Sequence, residues 1–287
     1  MRYQIRHTTR YAYSQPVRLN PHTLRLRPRS DGMQQLSHFA ITLEPNPSKV
    51  SEILDLDGNA CLQVWFPPKD LTELHISTAT VVETYRNNPF DYLCEPWAIT
   101  APIDYPRALA SRLAPYLLPG RLTALSPGVI DFAQTLLHQV ANNVGYFLTG
   151  LNQAIYERLE YKHRLEGPPQ PAGVTLSHGS GTCRDFAVLF IEACQAVGLA
   201  ARFVSGYQEG DPDQLSHDLH AWVEVYVPGG GWRGFDPTHG LAVSDRHIAI
   251  AAAGHPPEAA PVTGSLKDGS QAKAILESDI KLTVLSD

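Results

Sequence analysis

The first third of the chain alternates between polar and apolar residues. In stretches such as HTLRLRPR and ELHISTATVVETY, apolar and polar residues occupy alternate positions. A period of two is typical of strands that bury one face, and turn signals such as NP and LDGN separate these runs. We therefore predict an N-terminal antiparallel β-domain over residues 1–97. The pattern breaks into Pro and aromatic residues at 87–106, which we interpret as a linker.

The remainder, residues 98–287, combines helical and strand-like patterns. Residues 126–144 carry apolar side chains at helical spacing after the start signal Ser-Pro and predict one helix, whereas 165–174 are expected to form a loop. Three strand-like segments follow, at 201–207, 219–227 and 231–238, and the tail ends in a strand-like stretch, 275–285, that could return to a sheet. Helices followed by strands indicate an α+β domain rather than alternating βαβ units.

One cysteine stands where a Gly/Ser-rich turn meets an apolar run, in HGSGTCRDFAVLFIEAC. Thr182 and Asp185 fit the pattern of a helix start, so Cys183 is predicted as the first helical residue. Cys183 heads an apolar face that also contains Cys194, and the helix ends before Gly198. The unpaired N–H groups and the dipole of a helix N-terminus favour a thiolate, which is the reactive form. Cys194 lies further along the helix without this advantage and is predicted to be a core residue.

The next two predicted strands contain candidates for a catalytic base and for a group that orients it. Alternation in HAWVEVYV puts His220 on the face opposite the aliphatic residues, and GWRGFDPT ends its strand at Asp236. If residues 228–230 form a three-residue turn, Val227 pairs with Gly231, and Asp236 and His220 become diagonal neighbours. A turn of two or four residues would put them on opposite faces.

These three motifs resemble the Cys, His and Asp motifs of the transglutaminase-like superfamily, in the same chain order. The resemblance is strong over residues 150–250, and MRYQIRHTTRYAYSQPVRLNPHTLRLRPR is similar to the β-rich N-terminal region of bacterial members of the cysteine-protease type. It implies a papain-like core, in which the helix with the nucleophile packs on an antiparallel sheet. It also implies that Cys183 is the nucleophile, His220 the base and Asp236 the residue that orients the base.

The expected chemistry is acyl transfer on a peptide or protein amide through a thioester, by a hydrolase or a transglutaminase. Trp222 and Trp232 share the strand face of His220 and Asp236, so they are candidates for substrate binding as well as for the core. Three alternatives remain open. The fold could be a peptide-binding module without turnover, the triad could serve an acetyltransferase, or Cys183, His217, His220 and Asp236 could hold a metal.

Composition narrows the remaining possibilities. The 287 residues are 43% hydrophobic and 18% charged, with a net charge of −6, which is typical of a globular protein and argues against general nucleic-acid binding. The four cysteines form no CxxC pair, so we expect reduced thiols, no metal and no cofactor. No apolar leader or membrane span is evident, and we therefore expect a cytoplasmic protein without a membrane partner. Oligomeric state is not predicted.

Overall fold

The first sheet is antiparallel and contains both the first and the last strand of the chain. The computed structural model that shows it describes residues 1–117, 124–164, 167–210, 218–267 and 271–285. Across this sheet the order is β15 (Ala274–Leu285), β1 (Arg2–Val17), β6 (Leu71–Thr84) and β3 (Gln34–Glu44). The start of β1 buries every second side chain, as the period of two predicts. The C-terminal segment therefore does return to a sheet, beside β1.

A second, smaller antiparallel sheet completes the β-rich region. Its order is β14 (Val262–Thr263), β2 (His22–Leu24), β5 (Ala60–Trp65) and β4 (Lys49–Leu54). One of its strands, β14, also comes from the second half of the chain. The division of the chain into two domains after residue 97 stays a prediction, since strands from both halves contribute to both sheets.

The third sheet carries four of the predicted site residues, two on each of two neighbouring strands. It is antiparallel, with the order β12 (Leu241–Ala242), β11 (Gly231–Asp236), β10 (His220–Val227), β9 (Ala201–Gln208) and β13 (His247–Ala253). The three strands predicted after the cysteine helix are confirmed with small changes at their ends. A short parallel pair, β7 (Glu160–Tyr161) and β8 (Ser180–Gly181), lies just before that helix.

Five helices lie within the described residues. They are α1 (Arg107–Leu117), α2 (Pro127–Gln139), α3 (Val144–Arg158), α4 (Ala172–His178) and α5 (Cys183–Ala196), with 3-10 turns at Pro96–Ala98 and Pro256–Ala259. The helix α5 is buried over most of its length and shares one hydrophobic core with residues of β9, β10 and β11. An α+β fold, in which this helix packs on an antiparallel sheet, is thereby confirmed. No helix among the described residues has both the length and the apolar character needed to cross a bilayer.

The single helix predicted over residues 126–144 is wrong, because the chain forms two helices there. The backbone turns at Ala141 and Asn142, both of which have positive φ angles, of 49° and 62°. Asn143 then caps α3, and its side chain accepts a hydrogen bond of 3.0 Å from the N–H of Tyr146. Val144 is buried, as its spacing suggested, but it begins the second helix instead of ending the first. The loop predicted at 165–174 also contains the start of α4, at Ala172.

The N-terminal region packs directly against the third sheet. Ile5 and Ile76 share a hydrophobic core with Tyr207, Ile248 and Ile250 of that sheet. Hydrogen bonds complete this contact along the outer edge of β13, where two side-chain amides take the place of a neighbouring strand.

The amide of Gln34 donates to the carbonyl oxygen of Ala249 (2.9 Å) and accepts from its N–H (2.8 Å). Asn59 makes the same pair of bonds with Ala252, at 2.9 Å each. Buried backbone groups at a sheet edge require such partners. The contact therefore fixes the N-terminal region on the third sheet.

Candidate active site

The helix α5 begins at Cys183, as the sequence predicts. Asp185, at the third helical position, accepts hydrogen bonds from the N–H of Thr182 (2.8 Å), from its hydroxyl (3.1 Å) and from the N–H of Gln170 (2.7 Å). Burial acts to raise the pKa of Asp185, but these bonds and the ion pair with Arg164 lower it below its ordinary value. The start of the helix is thus held by a buried carboxylate. Cys183, the first residue of the helix, remains 7% exposed.

The hairpin between β10 and β11 has the turn length that the triad hypothesis requires. Val227 pairs with Gly231 and Val223 pairs with Phe235, so residues 228–230 form the three-residue turn. This register puts His220 and Asp236 on one face, and His220 Nε2 lies 2.8 Å from Asp236 Oδ2. The predicted register is therefore confirmed.

Cys183 and His220 meet on the other side of the imidazole. The side chain of His220 hydrogen-bonds Cys183, while its Nε2 faces Asp236. Burial acts to lower the pKa of His220, but the charge and hydrogen bond of Asp236, together with Cys183, raise it to about 10. An imidazole in this position is protonated at neutral pH.

The carboxylate of Asp236 is fully buried and has more partners than the sequence predicted. His220 Nε2 (2.8 Å), His239 Nδ1 (2.8 Å) and His247 Nε2 (3.2 Å) all lie within hydrogen-bonding distance of Oδ2, and the N–H of Thr238 donates to Oδ1 at 3.0 Å. Burial acts to raise the pKa of Asp236, but the charge of His220 and hydrogen bonds from the three imidazoles hold it well below its ordinary value. Asp236 is therefore ionised at neutral pH.

Sequence reasoning missed the roles of His239 and His247. The side chain of His239 is 41% exposed, yet its Nδ1 lies 2.8 Å from Asp236 Oδ2. His247 is buried at the start of β13, and burial lowers its pKa below the ordinary value, so it contacts Asp236 as a neutral imidazole. The DPTH stretch was the available signal for His239, because a residue three positions after a strand-ending Asp can turn back to it.

The possible metal ligands differ from those considered from the sequence. Ligand atoms of His220, Asp236 and His239 lie within 4.8 Å of one another, close enough to hold a metal ion. Cys183 is not in this group, and His217 lies outside the described residues. In the arrangement observed, the two imidazoles of this group instead share hydrogen bonds with the same carboxylate oxygen.

The sulfur and the imidazole open onto a cavity of about 550 Å³. Its lining includes Cys183, His220 and Phe203, and also residues of the β-rich sheets such as Thr9 and Tyr11. The volume lies within the usual range for small-ligand sites. The nucleophile proposed from the sequence is therefore accessible to a small substrate group.

The two tryptophans predicted to bind substrate lie away from this cavity. Trp222 is 1% exposed and packs with Val204 and Ala252. It fits there because the neighbouring strand has Gly206 beneath the indole, where a Cβ atom would lie 2.4 Å from Trp222 Cη2. Trp232 lies under the guanidinium of Arg202, whose central carbon is 4.1 Å from the ring centroid. Neither indole is among the residues that line the cavity, and the predicted contact of Trp222 and Trp232 with substrate stays a prediction.

The remaining cysteines differ from Cys183 in their surroundings. Cys194 is fully buried, and burial raises its pKa well above the ordinary value. Burial likewise raises the pKa of Cys61 to about 11. All four cysteines are free thiols, as expected, and of these Cys183 is the one that lies beside an imidazole and a cavity. Cys194 is a core residue, as predicted.

The fold and these motifs define a papain-like, transglutaminase-like protein. Residues 3–83 match the family model of the bacterial transglutaminase-like N-terminal region, and residues 130–237 match that of the transglutaminase-like superfamily. Residues 130–237 thus carry the core of the transglutaminase-like superfamily, and residues 3–83 the β-rich N-terminal region found in its bacterial members.

One solved structure shares the fold, and several curated sequences are similar to this chain. A Cytophaga hutchinsonii protein, described as a proposed cysteine protease, has the same fold, with a TM-score of 0.77 and 20% identity over 100% of this chain and 91% of that chain. An uncharacterised protein of Mycobacterium tuberculosis is 28% identical over 96% of this chain and 90% of its own length. A protein-glutamine gamma-glutamyltransferase of Pseudomonas aeruginosa is 37% identical over 70 residues, which are 22% of this chain and 10% of that protein.

Proposed function

We propose that this protein transfers acyl groups from amides through a thioester on Cys183, with His220 as acid and base and Asp236 as the residue that orients the imidazole. The observation that carries the proposal is the row of contacts from sulfur to imidazole to buried carboxylate, at the edge of a cavity. The family assignment supports it, and the identity with a protein-glutamine gamma-glutamyltransferase over 70 residues supports amide chemistry in particular.

The first half-reaction forms the thioester. The Cys183 sulfur attacks the amide carbonyl carbon, and the new S–C bond pushes an electron pair onto the oxygen. The negative charge develops near the first turn of α5, where the Cys183 N–H is one of the donors that a helix leaves without an intrahelical partner. When the intermediate collapses, the C–N bond breaks and the imidazolium of His220 gives its proton to the departing amine.

The second half-reaction returns the enzyme to its starting state. Water or a second amine attacks the thioester carbonyl, His220 accepts a proton from this nucleophile, and the C–S bond breaks to release Cys183. Water as the acceptor gives a hydrolase, and an amine gives a transglutaminase. Throughout both steps the carboxylate of Asp236 keeps its hydrogen bond with His220 Nε2, which leaves the second ring nitrogen, Nδ1, to exchange protons at the reaction centre.

Alkylation of the thiol tests the proposed roles directly. Cys183 should react with iodoacetamide well below pH 8, where a free thiol is mostly protonated, and should lose this reactivity in His220→Ala. His163→Ala is a matched control, because this imidazole also lines the cavity but pairs with Asp218 at 2.9 Å. Mass spectrometry after digestion identifies the alkylated cysteine, and Cys183→Ser shows the background.

A trapped intermediate provides the second part of the test. Acid quench after brief mixing with a library of peptide amides should leave an acyl adduct on Cys183, and the adduct should be absent in Cys183→Ser. The enzyme proposal is wrong if iodoacetamide alkylates Cys183 as slowly as Cys194, or at the same rate with and without the imidazole of His220. Either result favours a non-catalytic peptide-binding module.

A further inference from the structure

One part of the cavity lining, called the wall below, comes from strands of the two β-rich sheets, which lie outside the superfamily core in the sequence. Thr9 and Tyr11 of β1 contribute to it, and so do Leu276 and Ser278 of β15 and Val262 of β14. In the register of β1 and β15, Tyr11 lies directly opposite Leu276. A group attached to the Cys183 sulfur inside the cavity therefore faces a surface made by a different part of the fold.

This wall is held in place by the third sheet itself. His7 Nδ1 lies 3.0 Å from the hydroxyl of Tyr207 on β9, and His7 Nε2 lies 2.9 Å from the hydroxyl of Thr9. All of these groups are buried. The amides of Gln34 and Asn59 bind the edge of β13 in addition. Because the contact consists of packed side chains and paired backbone groups, the wall keeps a defined distance from Cys183.

The wall carries no charge at neutral pH in the part of the chain that the structure describes. Tyr11, Leu276 and Val262 are neutral, and burial lowers the pKa of His7 to about 4. The charged side chains that line the cavity, among them His163, Arg164 and Arg184, do not belong to this wall and already have partners, which for Arg184 include the carbonyl oxygen of Gly167 at 3.0 Å. His163 pairs with Asp218 at 2.9 Å.

Arg164, which also lines this side, pairs with Asp185 at 2.8 Å. A charged substrate group that reached the wall would thus lose water without gaining an opposite charge.

We propose that the wall formed by β1, β14 and β15 selects the acyl group, admitting amides whose acyl side chain is apolar or aromatic and excluding those with a carboxylate or an ammonium group. This inference rests on the proposed function, because it is the acyl part that stays attached to Cys183 in the cavity after the amine has left. The hydroxyls of Thr9 and Ser278 leave room for a neutral polar group beside the apolar surface.

Two neighbouring residues of β15 provide a matched pair of variants. Leu276 lines the cavity, whereas Ile275 is 62% exposed and does not line it. Successive residues of a strand point to opposite faces, so Leu276→Lys puts a cation in the wall and Ile275→Lys puts the same cation in solvent. Tyr11→Ala provides a second wall variant, which removes apolar surface without adding charge.

The experiment compares two peptidyl chloromethyl ketones that differ in one side chain, phenylalanyl and glutamyl. In each reaction the Cys183 sulfur forms a bond to the methylene carbon and chloride leaves. The native protein should react at least about 10-fold faster with the phenylalanyl reagent, a difference of about 1.4 kcal/mol. Leu276→Lys should reduce or reverse this preference, Tyr11→Ala should slow the phenylalanyl reagent alone, and Ile275→Lys should match the native protein.

Iodoacetamide separates failure of this inference from failure of the proposed function. Ile275→Lys should react with it at the native rate, and the ketone rates of each wall variant are compared with the iodoacetamide rate of the same variant. If iodoacetamide reacts normally but both ketones show equal rates in every protein, the wall does not select and the inference is wrong.

A binding measurement covers the case in which Cys183 is inert. Calorimetry with Cys183→Ser and the corresponding phenylalanyl and glutamyl peptide amides should then show the same preference, lost when Leu276→Lys is added. Equal affinities for the two peptides would overturn the inference without any reference to the chemistry.

Discussion

Replacing Asp236 by Asn tests how much of the chemistry of His220 depends on one buried charge. Burial acts to lower the pKa of His220, and the charge and hydrogen bond of Asp236, together with Cys183, oppose it to give about 10, against an ordinary value of 6.5. An amide keeps the shape and one hydrogen-bond acceptor but not the charge, so burial should dominate and bring the pKa to 6.5 or lower. That fall corresponds to a free energy on the order of 5 kcal/mol, at about 1.36 kcal/mol per pKa unit.

The assay is the rate constant for alkylation of Cys183 by iodoacetamide between about pH 4 and pH 10. In the native protein the imidazolium beside the sulfur should sustain alkylation at neutral pH. In Asp236→Asn the neutral imidazole no longer stabilises a thiolate, so the rate at pH 6 should fall by about 100-fold and recover only in the alkaline range of a free thiol. The ring resonances of His220 in NMR spectra should report its changed titration independently.

Asp218→Asn is the matched control, because this carboxylate also lines the cavity but pairs with His163. It should keep the native rate profile. The reasoning is refuted if Asp236→Asn is folded and yet its alkylation profile superimposes on that of the native protein. In that case the charge of Asp236 would not control His220, and the row of contacts would have no chemical consequence.

Three further substitutions test the packing around the site. As the pH falls, His7 becomes protonated near pH 6.5 in the unfolded chain but only near about pH 4 in the folded protein. The free energy of unfolding should therefore fall by about 3 kcal/mol between these two pH values. His7→Gln should lose this pH dependence in urea titrations. Asn59→Ala should lower the free energy of unfolding by about 2–4 kcal/mol, since it leaves the N–H and carbonyl of Ala252 unpaired. Gly206→Ala should lower the melting temperature most, because its Cβ would lie 2.2 Å from the oxygen of Ile248.

Each of these substitutions has a control of the same kind at an exposed position. His38→Gln replaces an exposed imidazole and should change the free energy of unfolding at neutral pH by less than about 0.5 kcal/mol. Asn88→Ala removes one exposed hydrogen bond to the N–H of Phe90 and should change stability by less than about 0.5 kcal/mol. Gly32→Ala meets no atom within 4 Å and should be neutral. If an exposed variant lowers stability as much as its buried counterpart, the packing argument for that pair fails.

The strands and the central helix could be predicted because their signals are local. The alternation in β1 and the helix start at Thr182 and Asp185 depend on residues within one or two turns of chain. The helix break at Asn142 depends on a left-handed backbone conformation, which the apolar spacing of the segment does not reveal. The helix α3 was nevertheless detectable, because Val144, Leu148 and Leu151 have helical spacing and are buried.

The relative position of His220 and Asp236 could be predicted by counting residues in a single hairpin. The distance between His220 and Asp236 depends on the turn length and the strand period, both of which can be counted in the sequence. The contact of His247 with Asp236 cannot be counted this way. His247 lies on β13, and two other strands separate β13 from β11, so the contact exists only once the whole sheet has assembled.

The same limit applies to the cavity. The wall residues on β1 lie more than 170 positions from Cys183 in the sequence, and those on β15 lie about 90 positions from it.

The strand that brings His247 to the buried carboxylate is also the one whose outer edge Gln34 and Asn59 bind. A displacement of the N-terminal region would therefore move the cavity wall and disturb the environment of Asp236 together. Asn59→Ala should consequently alter the alkylation rate of Cys183 as well as the stability, although Asn59 contacts no residue of the proposed triad.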